Sequence, residues 1–386
     1  MAAEGGGKVL LRFWGVRGSI PTPSPANLKY GGNTSCVEVR TSTGQLIILD
    51  AGSGIRPLGS SLAGEDGSAE HPILIFMSHY HWDHIQGFPF FEPLYSKEKS
   101  VIVHGFSSDR TSVGQTFGDQ FANPYFPVDM SVLRAKIRFD TIGVETREVG
   151  GVRITTSYLN HPQGSLAYRI EDGDRVVVYA SDHEHGKEPF DRNLRDLAKN
   201  ADVLIYDCQY TPEEYSSKVG WGHSTWQEGV RVANDAQVKE LVMFHHDPAH
   251  SDFFVDSMVQ AAREHFPNIH GAMEGMEVNL KEYSPEVAYK FGLDKRYNLR
   301  HHVPLPLSVR LRDTVSKQEK TIVENLSLDG AFFLTEDPLP TGTHVEVEIE
   351  LAPAETLGSP SRIKATAKVV RCEKIGEKAG IGITFR

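Results

Sequence analysis

Cysteine is scarce in this 386-residue chain: Cys36, Cys208 and Cys372 stand far apart and form no CxxC pair. That spacing excludes a disulfide framework and a thiolate zinc knot, and it fits a reducing compartment. Long hydrophobic runs are missing as well. No stretch approaches the roughly 18 apolar residues of a membrane span, and the opening MAAEGGGKVLLRFWG holds one Lys and an apolar run too short for a signal peptide. A cytoplasmic protein with no membrane partner is expected. Positive charge is in deficit, with 40 Lys and Arg against 51 Asp and Glu for a net charge of −11. The deficit is uneven: residues 296–386 carry 13 basic against 12 acidic side chains, +1, which leaves −12 on everything before them. An acidic body is a poor partner for a long phosphate backbone, so no long nucleic acid is expected. Repeats are absent, and so are low-complexity tracts beyond Gly5–Gly7.

What the chain does have is core-forming material, 39% hydrophobic residues with four Trp and 19 Phe, and enough length for one large domain and one small one. Up to about residue 270, strand-like apolar runs end in Gly-rich or polar turns. Gln45–Asp50 runs into AGSGIR, Arg175–Ala180 into SDHEH, Ala201–Tyr206 into DCQY and Glu240–Phe244 into HHDP. Residues 224–237 have helical spacing, with Trp226, Val230 and Val232 among polar residues and Ser224 or Thr225 as N-cap. Alternation of this kind predicts a layered α/β body. The last stretch differs: HVEVEIEL, IKATAKVV and IGITF alternate with period two between Pro, Gly and Ser turns, the pattern of a small antiparallel barrel or sandwich. The expected division is a body over 1–285, a linker over 286–295 and a β-domain over 296–386.

Residues 78–84 read SHYHWDH, directly after the apolar run Pro72–Met77. In an extended loop residues two apart point the same way, so His79 and His81 can hold one ion while Asp83 and His84 turn toward a second. One cluster cannot fill two coordination shells, and other strand ends offer the rest: His161 after Val152–Tyr158, Asp182 after VVVYA, His245 after LVMF. The count closes with His79, His81 and His161 on one metal, Asp83, His84 and His245 on the other, and Asp182 between them. His245 is preferred to its neighbour His246 because it directly follows the strand. His183 and His185 read as rim residues, and His71, His104, His265 and His270 as ordinary core or surface histidines. Imidazole and carboxylate donors without thiolate suit Zn²⁺, Mn²⁺ or Fe²⁺, with Zn²⁺ the first choice.

HxHxDH with Gly87 after it, and His161, Asp182 and His245 later, resembles the metallo-β-lactamase superfamily. FWGVRGSIP (13–21), GGNTSC (31–36), DAGSG (50–54) and WGHSTWQEGV (221–230) extend the likeness, which is closest to the ribonuclease Z-like phosphodiesterase branch. The resemblance implies an αββα sandwich with a dinuclear site at one edge of the sheets, Asp83 as a catalytic ligand, His223 of GHST as a non-ligand that assists the leaving group, and Asp50 as a buried support. Phosphodiester hydrolysis is the expected reaction. Ribonuclease Z relatives grip precursor tRNA with a basic arm, and none stands out here, so a cyclic nucleotide such as cyclic AMP or cyclic GMP is the leading substrate. The insertion Phe106–Pro127 carries Phe117, Phe121, Tyr125 and Phe126, which either form a lid that stacks on a base or pack against the sheet or a second subunit, so a homodimer is admitted.

The small domain opens with KRYNLR, which sets Arg296 and Arg300 four apart, and NLSLDG places Asn325, Ser327 and Gly330 in the spacing [D/N]xSxxG. With the closing GIGITF these motifs resemble the PilZ domain, which implies cyclic di-GMP as a regulatory ligand held by Arg296, Arg300, Asn325, Ser327 and Gly330. Two other functions compete with a regulated cyclic-nucleotide phosphodiesterase: an RNA-processing nuclease of the ribonuclease Z kind, and a non-catalytic cyclic di-GMP effector.

Overall fold

The computed structural model describes residues 9–62, 71–107, 111–280, 289–291, 305–311, 318–327, 330–350, 362–375 and 378–385. The chain divides into two compact units, Met1–Gly292 and Leu293–Arg386.

The first unit holds two sheets. From edge to edge, the larger runs β15 (Tyr289–Phe291), β14 (Met276–Asn279), β1 (Leu10–Gly15), β2 (Cys36–Arg40), β3 (Leu46–Leu49), β4 (Ile73–Phe76), β5 (Ser100–Gly105) and β6 (Lys136–Thr141). The smaller runs β13 (Ile269–Gly271), β12 (Glu240–Phe244), β11 (Val203–Asp207), β10 (Arg175–Ala180), β9 (Ser165–Asp172), β8 (Val152–Leu159) and β7 (Thr146–Val149). Tyr289–Phe291 lies inside the expected linker, yet it pairs with β14 as an edge strand.

Three apolar layers hold this unit together. Between the sheets, alternate residues such as Phe13, Leu49, Phe76, Tyr179 and Phe244 interdigitate. On the outer face of the larger sheet, Ile48, Ile75 and Val103 pack under α1 (Ile55–Leu62) and α3 (Val113–Gln120). On the outer face of the smaller sheet, Val178, Leu204 and Met243 pack under α4 (Phe190–Ala198), α6 (Trp226–Asp235) and α7 (Asp252–Arg263). This is the expected αββα sandwich, with the central strands β3, β4, β11 and β12 buried on both faces and therefore mostly apolar. The helix expected at 224–237 is α6, with Thr225 as its N-cap accepting from the Glu228 N–H.

The aromatic insertion is split by the fold. Phe117 and Phe121 are buried in the outer layer, Phe126 packs edge-on against Phe90, and Tyr125 remains 76% exposed. Two of the four rings are thus core residues, because α3 turns them inward onto the sheet.

The second unit is a closed antiparallel barrel, in the order β16 (Leu305–Leu311), β17 (Gln318–Ser327), β18 (Gly330–Thr335), β21 (Lys378–Phe385), β20 (Arg362–Ile375) and β19 (His344–Glu350). Period-two positions fill its interior: Ala331 and Phe333, Val345 and Val347, Ala367 and Val369, Ile381 and Ile383. Ser327 and Gly330 are register partners where β17 turns into β18, and Asn325 lies two residues back. Arg296 and Arg300 lie outside the described residues.

Candidate metal centre

Strands β3, β4, β5 and β6 are parallel, as are β10, β11, β12 and β13. Ligand sites in such sheets form beyond the carboxyl ends of the strands. Here both sheets deliver polar side chains to one edge: Asp50 after β3, Ser78 to His84 after β4, Asp182 after β10, Asp207 at the end of β11 and His245 after β12. His161 joins them because β8 runs antiparallel to β9, which runs antiparallel to β10, so β8 ends at the same edge. Asp50, Asp182 and His245 sit at φ 62°, 60° and 61°, a region that non-glycine residues rarely occupy and that strains the backbone where side chains must be aimed.

The SHYHWDH segment bends in the middle. His81 is extended (φ −63°, ψ 154°) and caps a helical turn, α2 (Trp82–Ile85), so His79 and His81 face one way while Asp83 and His84 are swung to another. Four overlapping groups of donor atoms result: His79, His81 and His161; Asp83, His84 and His245; and two that run through Asp182, one with His79 and His84 and one with Asp207, His223 and His245. Asp182 stands between the first two. Its Oδ1 lies 3.7 Å from both His79 Nε2 and His161 Nε2, and its Oδ2 lies 3.2 Å from His84 Nε2 and 3.3 Å from His245 Nε2. All seven residues named from the sequence meet here.

Donors about 2.0 to 2.1 Å from one tetrahedral ion stand about 3.3 Å from each other. The observed separations are close to that: 3.3 Å between His84 Nε2 and His245 Nε2, 3.1 Å between His245 Nε2 and Asp83 Oδ2, and 3.1 Å between His81 Nδ1 and His161 Nε2. The outer partners say the same. His84 Nδ1–H donates to Asp50, His245 Nδ1–H to Gln209 Oε1 and His161 Nδ1–H to the Gly222 carbonyl, each at 2.8 or 2.9 Å. Those bonds leave the Nε2 lone pairs facing one another and two carboxylates, an arrangement that calls for a cation. His79 Nε2 is buried with no hydrogen-bond partner among the described residues. The donor set therefore fits two divalent ions. With protons as the only cations, burial pushes His84 down, but Asp182, Asp83 and Asp50 outweigh it and hold His84 well above the usual range. His79 is driven well below it by burial and by the neighbouring His84.

Asp50 is the hub of the support. Its two oxygens accept from the Ser78 N–H and hydroxyl, the Tyr179 hydroxyl and His84, all at 2.7 or 2.8 Å. His246 faces away and meets the Ala272 carbonyl; His183 is bound to Asp191 and His185 to Ser224. Both lie outside the donor groups.

His223 stands beside the centre as a buried dyad. Its Nδ1–H donates to Asp207 Oδ2 at 2.8 Å, and the same atom is 3.8 Å from Asp182 Oδ1. Burial works against the charged imidazole, but the Asp207 carboxylate, aided by Asp182 and Asp83, raises it to about 9. Asp207 and Gln209 were not among the candidates from sequence. Asp207 had a signal, since VLIYD ends on an aspartate as LIILD does at Asp50; Gln209 had none.

Comparison with known proteins places the arrangement. The Beta-lactamase superfamily domain model matches residues 46–246, more than half the chain, and the PilZ domain model matches residues 294–386. Ribonuclease Z of Thermoplasma volcanium is 23% identical over 322 residues, covering 71% of this chain and 98% of that protein. Among solved structures, the metallo-β-lactamase fold protein YhfI of Bacillus subtilis superposes with a TM-score of 0.53 at 21% identity, over 71% of this chain and 99% of that one. Zn²⁺-bound PqqB of Methylobacterium extorquens gives 0.54 at 16% identity, over 70% of this chain and all of its own. Among the described residues no helix is long and apolar enough to cross a membrane. The chain belongs to the metallo-β-lactamase superfamily and carries a PilZ domain behind its metal-binding sandwich.

Proposed function

We propose that the chain is a phosphodiesterase with two divalent metal ions that hydrolyses a 3′,5′-cyclic nucleotide, cyclic AMP or cyclic GMP, under control of cyclic di-GMP bound to its PilZ domain. The reading rests on one observation above all: a donor cluster shared through Asp182 stands next to a buried imidazole, His223, whose Nδ1 is tied to the Asp207 carboxylate. His79, His81 and His161 would hold one ion, Asp83, His84 and His245 the other, and Asp182 one oxygen on each. Zinc suits the imidazole-rich set and is the metal bound in PqqB. When bound, the ions supply Lewis-acid chemistry, neutralising phosphate charge and lowering the pKa of water.

The chain's own residues do the remaining work. Asp50 and Gln209 fix the imidazole rings, which keeps the donors from reorganising during the reaction. With Nδ1 committed to Asp207, His223 has its exchangeable proton at Nε2, and delivery from there to the departing oxygen is the general-acid step. A cyclic mononucleotide is favoured over RNA by the −12 body. The opposing reading, an RNA-processing nuclease, is supported by the Ribonuclease Z relatives. In the PilZ domain, Arg296, Arg300, Asn325, Ser327 and Gly330 would hold cyclic di-GMP, and residues 286–295 would connect receptor to catalyst.

Turnover of cyclic AMP, cyclic GMP and precursor tRNA at low and moderate salt decides between the substrates. An RNA-gripping enzyme loses affinity by orders of magnitude across that range, a cyclic-nucleotide enzyme barely changes. His223→Ala should keep both metals and lose about 10² to 10⁴ in turnover; loss of a metal would make His223 a ligand instead. Arg296→Ala should weaken cyclic di-GMP binding about tenfold or more by calorimetry, and unchanged affinity would reject the receptor site. Unchanged turnover at saturating cyclic di-GMP would reject the regulation.

A further inference from the structure

The loop that leads into GHST is built as tightly as the centre it adjoins. Glu184 accepts from the N–H groups of Gly220 and Gly222 at 2.6 and 2.7 Å and from the Tyr215 hydroxyl at 3.1 Å, while the Gly222 carbonyl accepts from His161. Gly222 sits at φ +88°, and a Cβ there would come within 2.3 Å of His161 Nδ1, so the loop backbone lies directly against the cluster. Yet this anchored loop presents Trp221 to solvent, 58% exposed, two residues before His223. Lys218 Nζ lies 4.1 Å from the centroid of the Trp221 ring and 5.8 Å from that of Tyr210, whose ring is 6.0 Å from His223. Among the described residues Lys218 has no carboxylate partner.

An ammonium with no carboxylate partner among the described residues, in an acidic unit and over a tryptophan ring that is largely exposed, is a poor structural device. It neither fills a core nor neutralises a neighbour. Such a pair suits a ligand that brings an aromatic ring and negative charge together. Trp82, 66% exposed between His81 and Asp83, is a second exposed ring near the cluster, but no cation lies over it among the described residues. The charge singles out Trp221. We infer that Trp221 and Lys218 form the subsite that recognises a nucleotide at this centre, the open indole face stacking on the base and the Lys218 ammonium meeting a phosphate oxygen. This rests on the phosphodiesterase reading and adds to it the part of the substrate that the chain grips.

The test compares metal-loaded wild type, Trp221→Ala, Trp221→Phe and Lys218→Ala on cyclic AMP and on ribose 3′,5′-cyclic phosphate, which has no base. Trp221 is exposed, so its replacement leaves the fold intact. Base stacking on an aromatic side chain corresponds to an affinity change of about tenfold or more. Trp221→Ala should raise KM for cyclic AMP by that factor and erase the preference over the base-free diester; Trp221→Phe, which keeps a ring, should restore most of it. Lys218→Ala should raise KM for both diesters. Fluorescence titration with 5′-AMP gives a reading independent of turnover: quenching in wild type that is lost in Trp221→Phe supports the subsite. KM and 5′-AMP affinity unchanged in Trp221→Ala would overturn it. If wild type cleaves no nucleotide diester but still binds 5′-AMP through Trp221, the catalytic reading falls and the subsite stands.

Discussion

The two halves of the donor cluster are built differently. In the half formed by Asp83, His84 and His245, both imidazoles are fully buried and each Nδ1 is tied by a side chain, Asp50 or Gln209, while Asp83 Oδ2 accepts from the Ser19 N–H at 2.7 Å. In the half formed by His79, His81 and His161, His81 is only half-buried and its Nε2 meets Gln163 at 3.3 Å, and His161 is tied to a loop carbonyl. The first half is fixed from the sheet interior; in the second, buried His79 meets Ser78 Oγ at 3.1 Å, and His161 is fixed by the loop that also carries Trp221 and His223. The difference teaches that one ion should depend on buried partners alone, and the other also on the loop that carries His223.

Removing the shared residue should have the largest effect. In Asp182→Ala, metal content by mass spectrometry should fall from two ions to at most one and turnover should drop by more than the 10- to 100-fold typical of losing an outer partner; two ions retained would mean that Asp182 is not shared. Asp50→Asn separates the halves. It should weaken one ion about 10- to 100-fold in chelator competition and leave the other in place, and equal weakening of both would dissolve the contrast. Gly222→Ala presses on His161 from the loop side and forces a backbone at φ +88° that a side chain resists, so it should loosen the complementary ion by about tenfold. Loss of the same ion as in Asp50→Asn would break the assignment.

The smallest effect concerns a histidine outside both halves. His104 is buried and stacked on Phe76 at 4.4 Å; neither ring nitrogen is hydrogen-bonded among the described residues, and Asp140 Oδ2 lies 3.9 Å from Nδ1. Burial pushes it down to about 4, whereas the unfolded chain protonates near 6.5. The unfolded state thus binds more protons between those values, and stability from neutral His104 is complete above about 6.5 and lost as pH falls toward about 4. His104→Leu should therefore raise Tm relative to wild type at pH 5 more than at pH 7.5; equal differences at both would show that His104 does not titrate there.

Much of the centre was legible because short-range rules govern it. An apolar run must end somewhere, and a cluster of His and Asp at its end is either a site or a burial penalty. So SHYHWDH, Asp182 and His245 could be picked out one strand at a time. The barrel was legible for the same reason, since period two in HVEVEIEL and IGITF specifies an inner face without reference to anything distant. Phe117 and Phe121 were not: an aromatic in an insertion reads the same whether it covers a substrate or a sheet. Gln209 and the Lys218–Trp221 pair were invisible too, because neither residue type in its local context announces a partner.

By itself the sequence determined the donor types, their attachment to strand ends and the two-part organisation, since each follows from patterns a few residues long. Only the tertiary structure decided which oxygen of Asp182 faces which half, that His245 turns in while His246 turns to Ala272, and that Asp207 joins His223. Those facts depend on the register of parallel strands in two sheets and on three strained residues at their ends. Such relations span up to about two hundred positions of chain, and no local pattern carries them.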